Sequence, residues 1–577
     1  MTVQGDNYKS TLERQLSVAY DSETVAMLLK RIARLVASAR AEIGARGANW
    51  LDQRDVMLIT YGDSIRTTGE VPLATLRRFL KAHTSDFITN VHVLPFYPWT
   101  SDDGFSVKDY RAIDPELGRW SDVEALAEDV GLMFDGVINH ISAESDWFKA
   151  FKAGDPTYAD YFTVMNPQTD LSSVTRPRAT PVLTPFGTSD GMKHVWTTFS
   201  ADQIDLNYAN PEVFLEIVDL LIFYARKGAR FIRLDAIGFM WKEVGTTCMH
   251  LPQTHAIIKA LRTVMDAAAP GTMFVTETNV PHADNISYFG DGSDEAHLVY
   301  QFPLPPLTLH AFLTGDASRL TSWAMSLDET TPTTTFFNFL ASHDGIGVRP
   351  AEGILSQQEV LEMAAAVVTR GGKVSMRALP GGREAPYELN ITYLDAVSSP
   401  GDSDDVVIAK FMAAQMILLS LVGIPGIYIH SLLGSRNDTA GMAKTGRSRS
   451  INREKLSLRA LEQALNDPGS LRARILAAFR DRLSVRATRA AFAPNAAQRV
   501  LPLDHRVFSL VRESETDRVW VSVNVSDTPV TLRVSTAQLG FTPGATTNLL
   551  GGEGPMIGET VTEMVLGPYE AAWIAVA

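Results

Sequence analysis

Cysteine is almost absent from this 577-residue sequence, since Cys248 is the only one. A single cysteine excludes an intrachain disulfide, a thiolate metal cluster and a redox pair, so we interpret Cys248 as a small packing residue. No segment approaches the roughly 18 consecutive apolar residues needed to cross a bilayer. The first residues also lack the basic and apolar regions of a secretory signal. These absences favour a cytoplasmic protein with no membrane partner.

An excess of positive charge is also missing, because the formal net charge is -14. The phosphate backbone of a nucleic acid would repel such a chain, so no nucleic-acid partner is expected. With 45% hydrophobic and 20% charged residues, the composition is that of an ordinary globular protein. We therefore expect a small-molecule ligand, and a homodimer is left open.

Short β-rich runs alternate with longer amphipathic segments from residue 55 onward. This alternation predicts successive β-α units and a parallel sheet. The candidate strands cover residues 56–61, 90–96, 131–138, 229–235, 273–277, 298–302, 335–341 and 426–429. Because eight such units favour a closed barrel over an open sheet, the sequence predicts an α/β fold of the (β/α)8 TIM-barrel type.

Flanking and inserted regions interrupt this pattern. Residues 1–52 include helical spacing of apolar side chains and predict a helical extension. The barrel is expected to cover 53–495, with inserted subdomains at about 141–208 and 345–405, where the gaps between strands are too long for ordinary connections. Alternating strands and polar turns over 496–577 predict a C-terminal antiparallel β domain. Long loops at the mouth of a barrel are usually functional.

Acidic residues stand at the ends of three predicted barrel strands. Asp235 closes ARFIRLD, Glu277 closes MFVTE and Asp344 follows TFFNFLASH. The functional residues of a TIM barrel lie where its strands end, so these acids should share one rim. A single such acid would more often be a helix cap, but capping does not explain three of them. The pattern predicts an active site built on carboxylates.

Two neighbouring carboxyl groups suit glycosyl transfer with retention. That reaction needs an ionised carboxylate to attack the anomeric carbon and a protonated carboxyl about 5 to 5.5 Å away to assist the leaving oxygen. Arg233 precedes Asp235 by two residues, lies on the same face of the strand and is expected to keep Asp235 ionised. Glu277 ends an apolar strand, where desolvation would raise its pKa towards that of a general acid. The hypothesis is that Asp235 is the nucleophile and Glu277 the acid/base.

Histidines and aromatic side chains accompany these acids. His140 closes DGVINH and His343 precedes Asp344, and neutral histidines there can donate hydrogen bonds to sugar hydroxyl groups. The cluster lacks the i, i+4 histidine spacing and the cysteine pairs of zinc motifs, so no metal is expected. Aromatic residues in the same segments, Phe199 among them, offer surfaces for a pyranose ring, although core packing would claim most of them.

Four sequence blocks occur in order, namely DGVINH (135–140), FIRLDAI (231–237), VTETN (275–279) and ASHDG (341–345). On these blocks the chain resembles the α-amylase superfamily (glycoside hydrolase family 13) from about residue 55 to the C-terminus. The resemblance implies that Asp235 is the nucleophile, Glu277 the acid/base and Asp344 the stabiliser of an oxocarbenium-like transition state. It also implies that Arg233, His140 and His343 contact the glucosyl unit. A non-catalytic barrel, the alternative from another class, would be expected to lack such acids.

Further segments resemble the sucrose-phosphorylase-like branch of that superfamily. SDDGFSVKDY places Asp102 where the branch has a glucose-gripping aspartate, and RSINR places its partner at Arg449. Together they would close the site beyond one glucose, which implies exo action. In this branch Tyr387 and an arginine, assigned to Arg178, would help to bind phosphate or acceptor. The implied substrates are an α-glucoside, inorganic phosphate and glucose 1-phosphate, and no cofactor is expected.

Departures from sucrose phosphorylases concern the acceptor. Those enzymes usually carry Tyr in place of Phe239, Gln in place of Glu388 and a shorter N-terminus. The extension and the segments TETNVPHADNISYFG and SLLGSRND make the chain more similar to glucosylglycerate phosphorylases. Sucrose 6-phosphate, glucosylglycerol and sucrose phosphorylases, and related α-glucosidases or transglucosidases, are kept as alternatives. A glycerate acceptor carries a carboxylate, for which Arg178, Arg377 and Arg383 are candidate partners.

Overall fold

The computed structural model describes residues 7–44, 50–178, 180–379 and 383–576. In that part of the chain eight parallel strands form a closed barrel, in which neighbours in sequence pair and the first strand pairs with the last. They are β1 (Met57–Thr60), β2 (Asn90–Val93), β3 (Gly131–Gly136), β4 (Ala229–Asp235), β5 (Met273–Glu277), β6 (Leu298–Tyr300), β7 (Thr335–Phe339) and β8 (Ile424–Tyr428). The predicted barrel is confirmed, and each strand overlaps the run that predicted it.

Helices alternate with these strands and account for the amphipathic segments of the sequence. The main ones are Pro72–His83, Trp120–Ala127, Pro211–Arg226, Pro252–Ala268, Leu304–Thr314, Ser318–Met325, Gln357–Thr369, Asp404–Ser420, Leu458–Leu465 and Leu471–Ala487. Pro211–Arg226 shows why they begin and end where they do. Asn210 caps it by accepting from the backbone N–H of Glu212, Pro211 occupies the first turn, and Gly228 follows at φ 105°. That helix leads directly into β4, which ends at Asp235.

The N-terminal helices Asn7–Leu16 and Ser22–Ile43 pack on the outer layer of helices. Their partners are Pro252–Ala268 and Pro211–Arg226. The side chains Val25, Leu28, Ile32 and Val36, spaced by three or four residues, are buried in this contact. The rest of the predicted extension, residues 1–6 and 45–49, lies outside the described residues.

The long segments after β3 and β7 lead from the C-terminal rim of the barrel. The first carries the helix Asp146–Ala153, the hairpin of Leu183–Thr188 with Gly191–Trp196, and the pair of His140–Ser142 with Gln203–Asp205. The second carries the antiparallel strands Lys373–Leu379 and Arg383–Asn390, of which the latter also pairs with Ile346–Gly347. Both segments start where a barrel strand ends, so they stand on the rim that carries function in this fold.

The chain beyond Leu471–Ala487 forms antiparallel β structure, as predicted. One sheet contains, in spatial order, Ala497–Val500, Val507–Glu513, Arg518–Asn524, Ala571–Val576 and Thr546–Asn548, and Val530–Ser535 pairs with Val561–Leu566. The buried Arg512 donates from Nη1 to the carbonyl oxygen of Ser420 at 2.9 Å, which ties this sheet to the barrel. Within the described ranges, none of the helices combines the length and the apolar character that crossing a membrane requires.

Candidate active site

A cavity of about 610 Å³ opens at the C-terminal ends of the barrel strands. Its walls come from the strand ends and from the segments that follow β3 and β7. The site residues predicted from the sequence that line it are Asp102, His140, Arg178, Phe199, Arg233, Asp235, Glu277, His343, Asp344, Tyr387 and Arg449. The fold therefore brings residues from separate strand ends and both insertions to one cavity, whose size is typical of small-molecule sites.

Asp235 and Glu277 lie side by side on neighbouring strands. The register of β4 and β5 pairs Glu277 directly with Asp235, and neighbouring strands lie about 4.8 Å apart. Both carboxylates approach one guanidinium: Arg233 Nη1 is 3.0 Å from Asp235 Oδ1, and Arg233 Nη2 is 3.7 Å from Glu277 Oε2. Acids at directly paired positions of neighbouring strands, both near one guanidinium, suit double displacement, in which the two carboxyl groups lie about 5 to 5.5 Å apart.

A buried ion-pair network fixes Arg233 in this position. Arg233 Nη1 also lies 2.5 Å from Asp135 Oδ1, and Asp135 Oδ2 lies 2.7 Å from His92 Nε2. Burial raises the pKa of Asp135, but His92 and Arg233 together lower that pKa by more, so Asp135 is an anion. The acid from DGVINH thus serves to orient the arginine that contacts the two central carboxylates.

The residue after Asp235 has an unusual backbone conformation. Ala236 has φ 50° and ψ 32°, in the left-handed region that residues other than glycine rarely adopt. Its backbone N–H donates to Glu277 Oε2 at 3.3 Å. Strained backbone of this kind is commonly found at functional sites. Here it gives Glu277 a hydrogen bond from the turn that follows the neighbouring acid.

Asp235 and Glu277 both have raised pKa values. Burial raises the pKa of Asp235 to about 7 even though Arg233 lowers it, and burial likewise raises the pKa of Glu277 to about 7. Carboxyl groups that interact this strongly titrate as a pair. Because Arg233 is closer to Asp235 than to Glu277, it favours the ionised form of Asp235 more strongly than that of Glu277. Arg233 therefore does not bring the pKa of Asp235 to its ordinary value, but it promotes ionisation of Asp235 before that of Glu277.

Asp344, the third acid, is a permanent anion. Its Oδ1 lies 2.6 Å from Arg449 Nη1 and 3.8 Å from Arg453 Nη2. Burial raises the pKa of Asp344, but Arg449, His343 and Arg453 lower it well below the usual range of an aspartate. A carboxylate that stays charged suits electrostatic stabilisation of a cationic transition state rather than proton transfer.

Glu388 is a site residue whose role the sequence did not reveal. Its Oε1 accepts from Arg449 Nε at 3.0 Å and from the backbone N–H of Gly345 at 2.5 Å. Arg449 is thereby held between Glu388 and Asp344. In the sequence Glu388 stands out only as a departure from sucrose phosphorylases, and no local spacing links it to Arg449, which lies 61 positions away.

Asp102 forms part of the cavity wall, also with a left-handed backbone, at φ 55°. Its Oδ2 accepts from Arg178 Nη2 at 3.0 Å and from Gln203 Nε2 at 3.2 Å. Burial raises the pKa of Asp102, and Arg178 and Arg449 together lower it by more. Both predicted arginines thus act on Asp102. The direct ion pair is with Arg178, however, because the guanidinium of Arg449 is taken up by Asp344.

His140 and His343 are neutral imidazoles, as the sequence suggested. Burial is the main cause that lowers the pKa of each, and that of His343 falls to about 3. His140 Nε2 lies 2.9 Å from the carbonyl oxygen of Phe105. His343 stacks on the Phe105 ring with the ring centroids 5.0 Å apart. Rings held in this way can form hydrogen bonds with hydroxyl groups without adding charge.

Aromatic side chains line the part of the cavity near His140. The Phe199 ring lies 5.3 Å from the His140 ring and 5.5 Å from the Phe239 ring, measured between centroids. Tyr387 lines the cavity from the strand Arg383–Asn390, and burial raises the pKa of its hydroxyl, which therefore stays protonated and can donate.

The arginines suggested for an acceptor carboxylate are either already paired with acids or exposed to solvent. Arg178 is paired with Asp102, and Arg377 is paired with Glu352. Arg383 is exposed near the turn of its hairpin and is not among the residues that line the cavity in the described chain.

The chain is similar to known proteins over most of its length. Residues 87–351 match the family described as alpha amylase, catalytic domain. The chain is 51% identical over 532 residues to a glucosylglycerate phosphorylase of Allomeiothermus silvanus, with 92% of each protein covered. It is also 51% identical over 450 residues to a glucosylglycerate phosphorylase of Escherichia coli K12, covering 78% of this chain and 80% of that protein.

A solved structure supports the fold independently. The crystal structure of sucrose 6F-phosphate phosphorylase from Thermoanaerobacter thermosaccharolyticum matches with a TM-score of 0.71. The match covers 83% of this chain and 96% of that one, at 24% sequence identity. At this identity the structural likeness bears on the barrel and its appendages alone.

Proposed function

This chain belongs to the α-amylase family, and within that family we propose that it is a retaining glycoside phosphorylase that converts glucosylglycerate and phosphate into α-D-glucose 1-phosphate and D-glycerate. The observation that carries the reaction type is the direct pairing of Asp235 with Glu277 around Arg233. The choice of acceptor is supported by the relatives at 51% identity, which are named glucosylglycerate phosphorylases.

The first half-reaction forms a glucosyl-enzyme. An Oδ atom of Asp235 attacks the anomeric carbon, and the bond from that carbon to the glycerate oxygen breaks. Glu277 gives its proton to the departing oxygen. Burial raises the pKa of Glu277 to about 7, so this proton is available near neutral pH. Asp344, held as an anion by Arg449, stabilises the positive charge that develops on the sugar ring.

The second half-reaction transfers glucose to phosphate. Glu277, now ionised, takes a proton from phosphate as a phosphate oxygen attacks the anomeric carbon and releases Asp235. Arg178 and Tyr387 are the proposed partners of the phosphate, and Asp102, His140 and His343 those of the glucosyl hydroxyl groups. Two inversions at the same carbon return the α configuration, so the product is α-glucose 1-phosphate.

Phosphate release from α-glucose 1-phosphate tests the reaction and its acceptor together. D-glycerate, glycerol, fructose and fructose 6-phosphate are supplied in parallel, and kcat/KM is expected to be highest with D-glycerate. A preference for another acceptor would replace the glycerate assignment while keeping a phosphorylase. Free glucose as the main product with every acceptor would show a hydrolase instead, because water would then be taking the place of the acceptor.

Arg449→Ala should lower kcat/KM by about 10- to 100-fold with every acceptor, because it removes a charged hydrogen-bonding group from the glucosyl side of the cavity. It also leaves Asp344 and Glu388 without their shared cation. Steady-state kinetics with glucose 1-phosphate as donor give the measurement. Arg474→Ala, which removes an exposed arginine paired with Asp405, is the control and should leave the rates unchanged. Unchanged kinetics in Arg449→Ala would contradict the assignment.

A further inference from the structure

Acids engage most of the arginines that line the cavity. In the part of the chain that the structure describes, the arginines that line it are Arg176, Arg178, Arg233, Arg349, Arg377 and Arg449. Ion pairs with Asp102, Asp235, Glu352 and Asp344 engage Arg178, Arg233, Arg377 and Arg449, in that order. Arg176 is exposed, so solvent screens its charge. Arg349 is the remaining cation, and it is partly buried.

Arg349 has donors without acceptors at the cavity wall. Its Nε is buried and has no hydrogen-bond partner, and none of the described acids forms an ion pair with its guanidinium. A buried donor left unpaired costs free energy that a ligand can recover. The backbone at this point is firmly held, since the N–H of Val348 donates to the carbonyl oxygen of Tyr387 at 3.1 Å. The guanidinium is therefore a ready site for an anionic group.

The neighbourhood of Arg349 lies on the side of the cavity that carries the acid/base. Asn279 follows Glu277 by two residues, and its side-chain amide lies against Gly347, where an added Cβ would come within 3.1 Å of Asn279 Nδ2. Gly347 precedes Arg349 by two residues, and all of these residues line the cavity. The Oδ1 atom of Asn279 is buried without a hydrogen-bond partner. Glu277 protonates the departing acceptor, so the acceptor must occupy this side.

We propose that Arg349 binds the carboxylate of the acceptor and that Asn279 Oδ1 accepts a hydrogen bond from the hydroxyl group that is not glucosylated. The proposal rests on the proposed function, which it deepens by naming the residues that select a 2-hydroxy acid. A guanidinium matches a carboxylate with two parallel hydrogen bonds, which no neutral side chain can do.

The charges of the site explain why such a cation is needed. An anionic acceptor that attacks the glucosyl-enzyme enters a cavity in which Asp344 and the ionised Glu277 are carboxylates, while Asp235 is bonded to glucose. Like charges at short range in a partly desolvated site repel strongly. The arginines nearest those acids are already engaged by them, so they offer little net attraction to a further anion. Arg349 supplies the compensating positive charge.

Steady-state kinetics in the synthetic direction separate this role from a role in phosphate binding. In a double-displacement reaction, kcat/KM for glucose 1-phosphate reports glucosyl-enzyme formation and phosphate departure, whereas kcat/KM for D-glycerate reports acceptor attack alone. We expect Arg349→Gln to lower kcat/KM for D-glycerate by about 10- to 100-fold. The value for glucose 1-phosphate should stay within about twofold of the wild type. Arg349→Lys keeps the charge but not the paired hydrogen bonds, so its kcat/KM for D-glycerate should lie between those of the wild type and Arg349→Gln.

Each outcome decides the point. A loss confined to kcat/KM for glucose 1-phosphate would assign Arg349 to phosphate, and equal losses in both values would assign it to the glucosyl unit or to the structure of the site. Either result, or no loss in either value, would overturn the proposal. Arg377→Gln, which removes a cavity arginine already paired with Glu352, should cost about threefold or less, and a larger loss there than at Arg349 would also overturn it. Wild-type enzyme that does not use D-glycerate at all would refute the proposed function itself. A thermal melt of Arg349→Gln and the activity of Arg349→Lys check that the loss does not result from unfolding.

Discussion

Asp235→Asn should lower kcat for phosphorolysis by about 10⁴-fold or more, because the amide cannot form the covalent bond on which both half-reactions depend. The change is nearly isosteric, so Arg233 and its partner Asp135 stay in place. The measurement is phosphate-dependent formation of α-glucose 1-phosphate. Mass spectrometry of the intact protein after mixing with glucose 1-phosphate should show a glucosyl adduct on the wild type and none on Asp235→Asn.

The stability of Asp235→Asn provides its internal control. Burial raises the pKa of Asp235 from 3.8 to about 7 in the folded protein. A carboxyl whose pKa is raised by folding favours the folded state at low pH, and this contribution is lost as the pH rises from about 4 through about 7. Above pH 7 the variant should therefore melt at the same temperature as the wild type or higher. Asp266→Asn, at a partly buried acid that is paired with Arg262 and whose pKa is also raised, should keep full activity.

A near-normal rate in a folded Asp235→Asn enzyme would remove the double-displacement mechanism. Loss of activity together with a lower melting temperature above pH 7 would instead show that Asp235 supports the fold. The two readouts thus separate chemistry from structure.

Glu277→Gln should lower phosphorolysis of glucosylglycerate by about 10²- to 10⁴-fold, because the variant cannot protonate the departing oxygen. The loss should be much smaller with α-glucosyl fluoride, since fluoride leaves without a proton. Asp235→Asn should show no such recovery, because its defect lies in bond formation. Comparing the two donors across the two variants assigns each carboxyl group to its own step.

The pH dependence gives a second test of the same pair. Both pKa values are raised to about 7, mainly by burial. Activity requires the singly protonated pair, so kcat/KM of the wild type should fall below neutral pH as Asp235 becomes protonated. It should also fall above neutral pH as Glu277 loses its proton. With α-glucosyl fluoride, Glu277→Gln should lose the alkaline limb and keep the acid limb.

A matched control exists for Glu277→Gln. Glu295 is a buried glutamate whose pKa burial also raises, and it is paired with His255 at 2.9 Å and Lys259. Glu295→Gln should leave the kinetics and the pH profile unchanged. A profile for Glu277→Gln that keeps its alkaline limb would mean that another group supplies the proton.

The barrel and its central acids could be predicted from the sequence because both depend on local patterns. Apolar runs of four to eight residues followed by amphipathic helices indicate parallel strands, and strands of one parallel barrel end on one rim. Asp235 and Glu277 each close such a run, and the register of β4 and β5 then pairs them directly. Arg233 followed from the two-residue period of a strand.

The tertiary structure alone decided which distant segments are in contact and how deeply each group is buried. The sequence by itself determined the fold, the three acids and part of the set of residues that line the cavity. Only folding showed that Arg449 is shared by Asp344 and Glu388, that Arg178 rather than Arg449 pairs with Asp102, and that Arg349 has no acidic partner among the residues that the structure describes. The reason is that residues far away in sequence decide whether a charge is neutralised. The pKa of a carboxyl group likewise depends on how much water the whole fold removes from it.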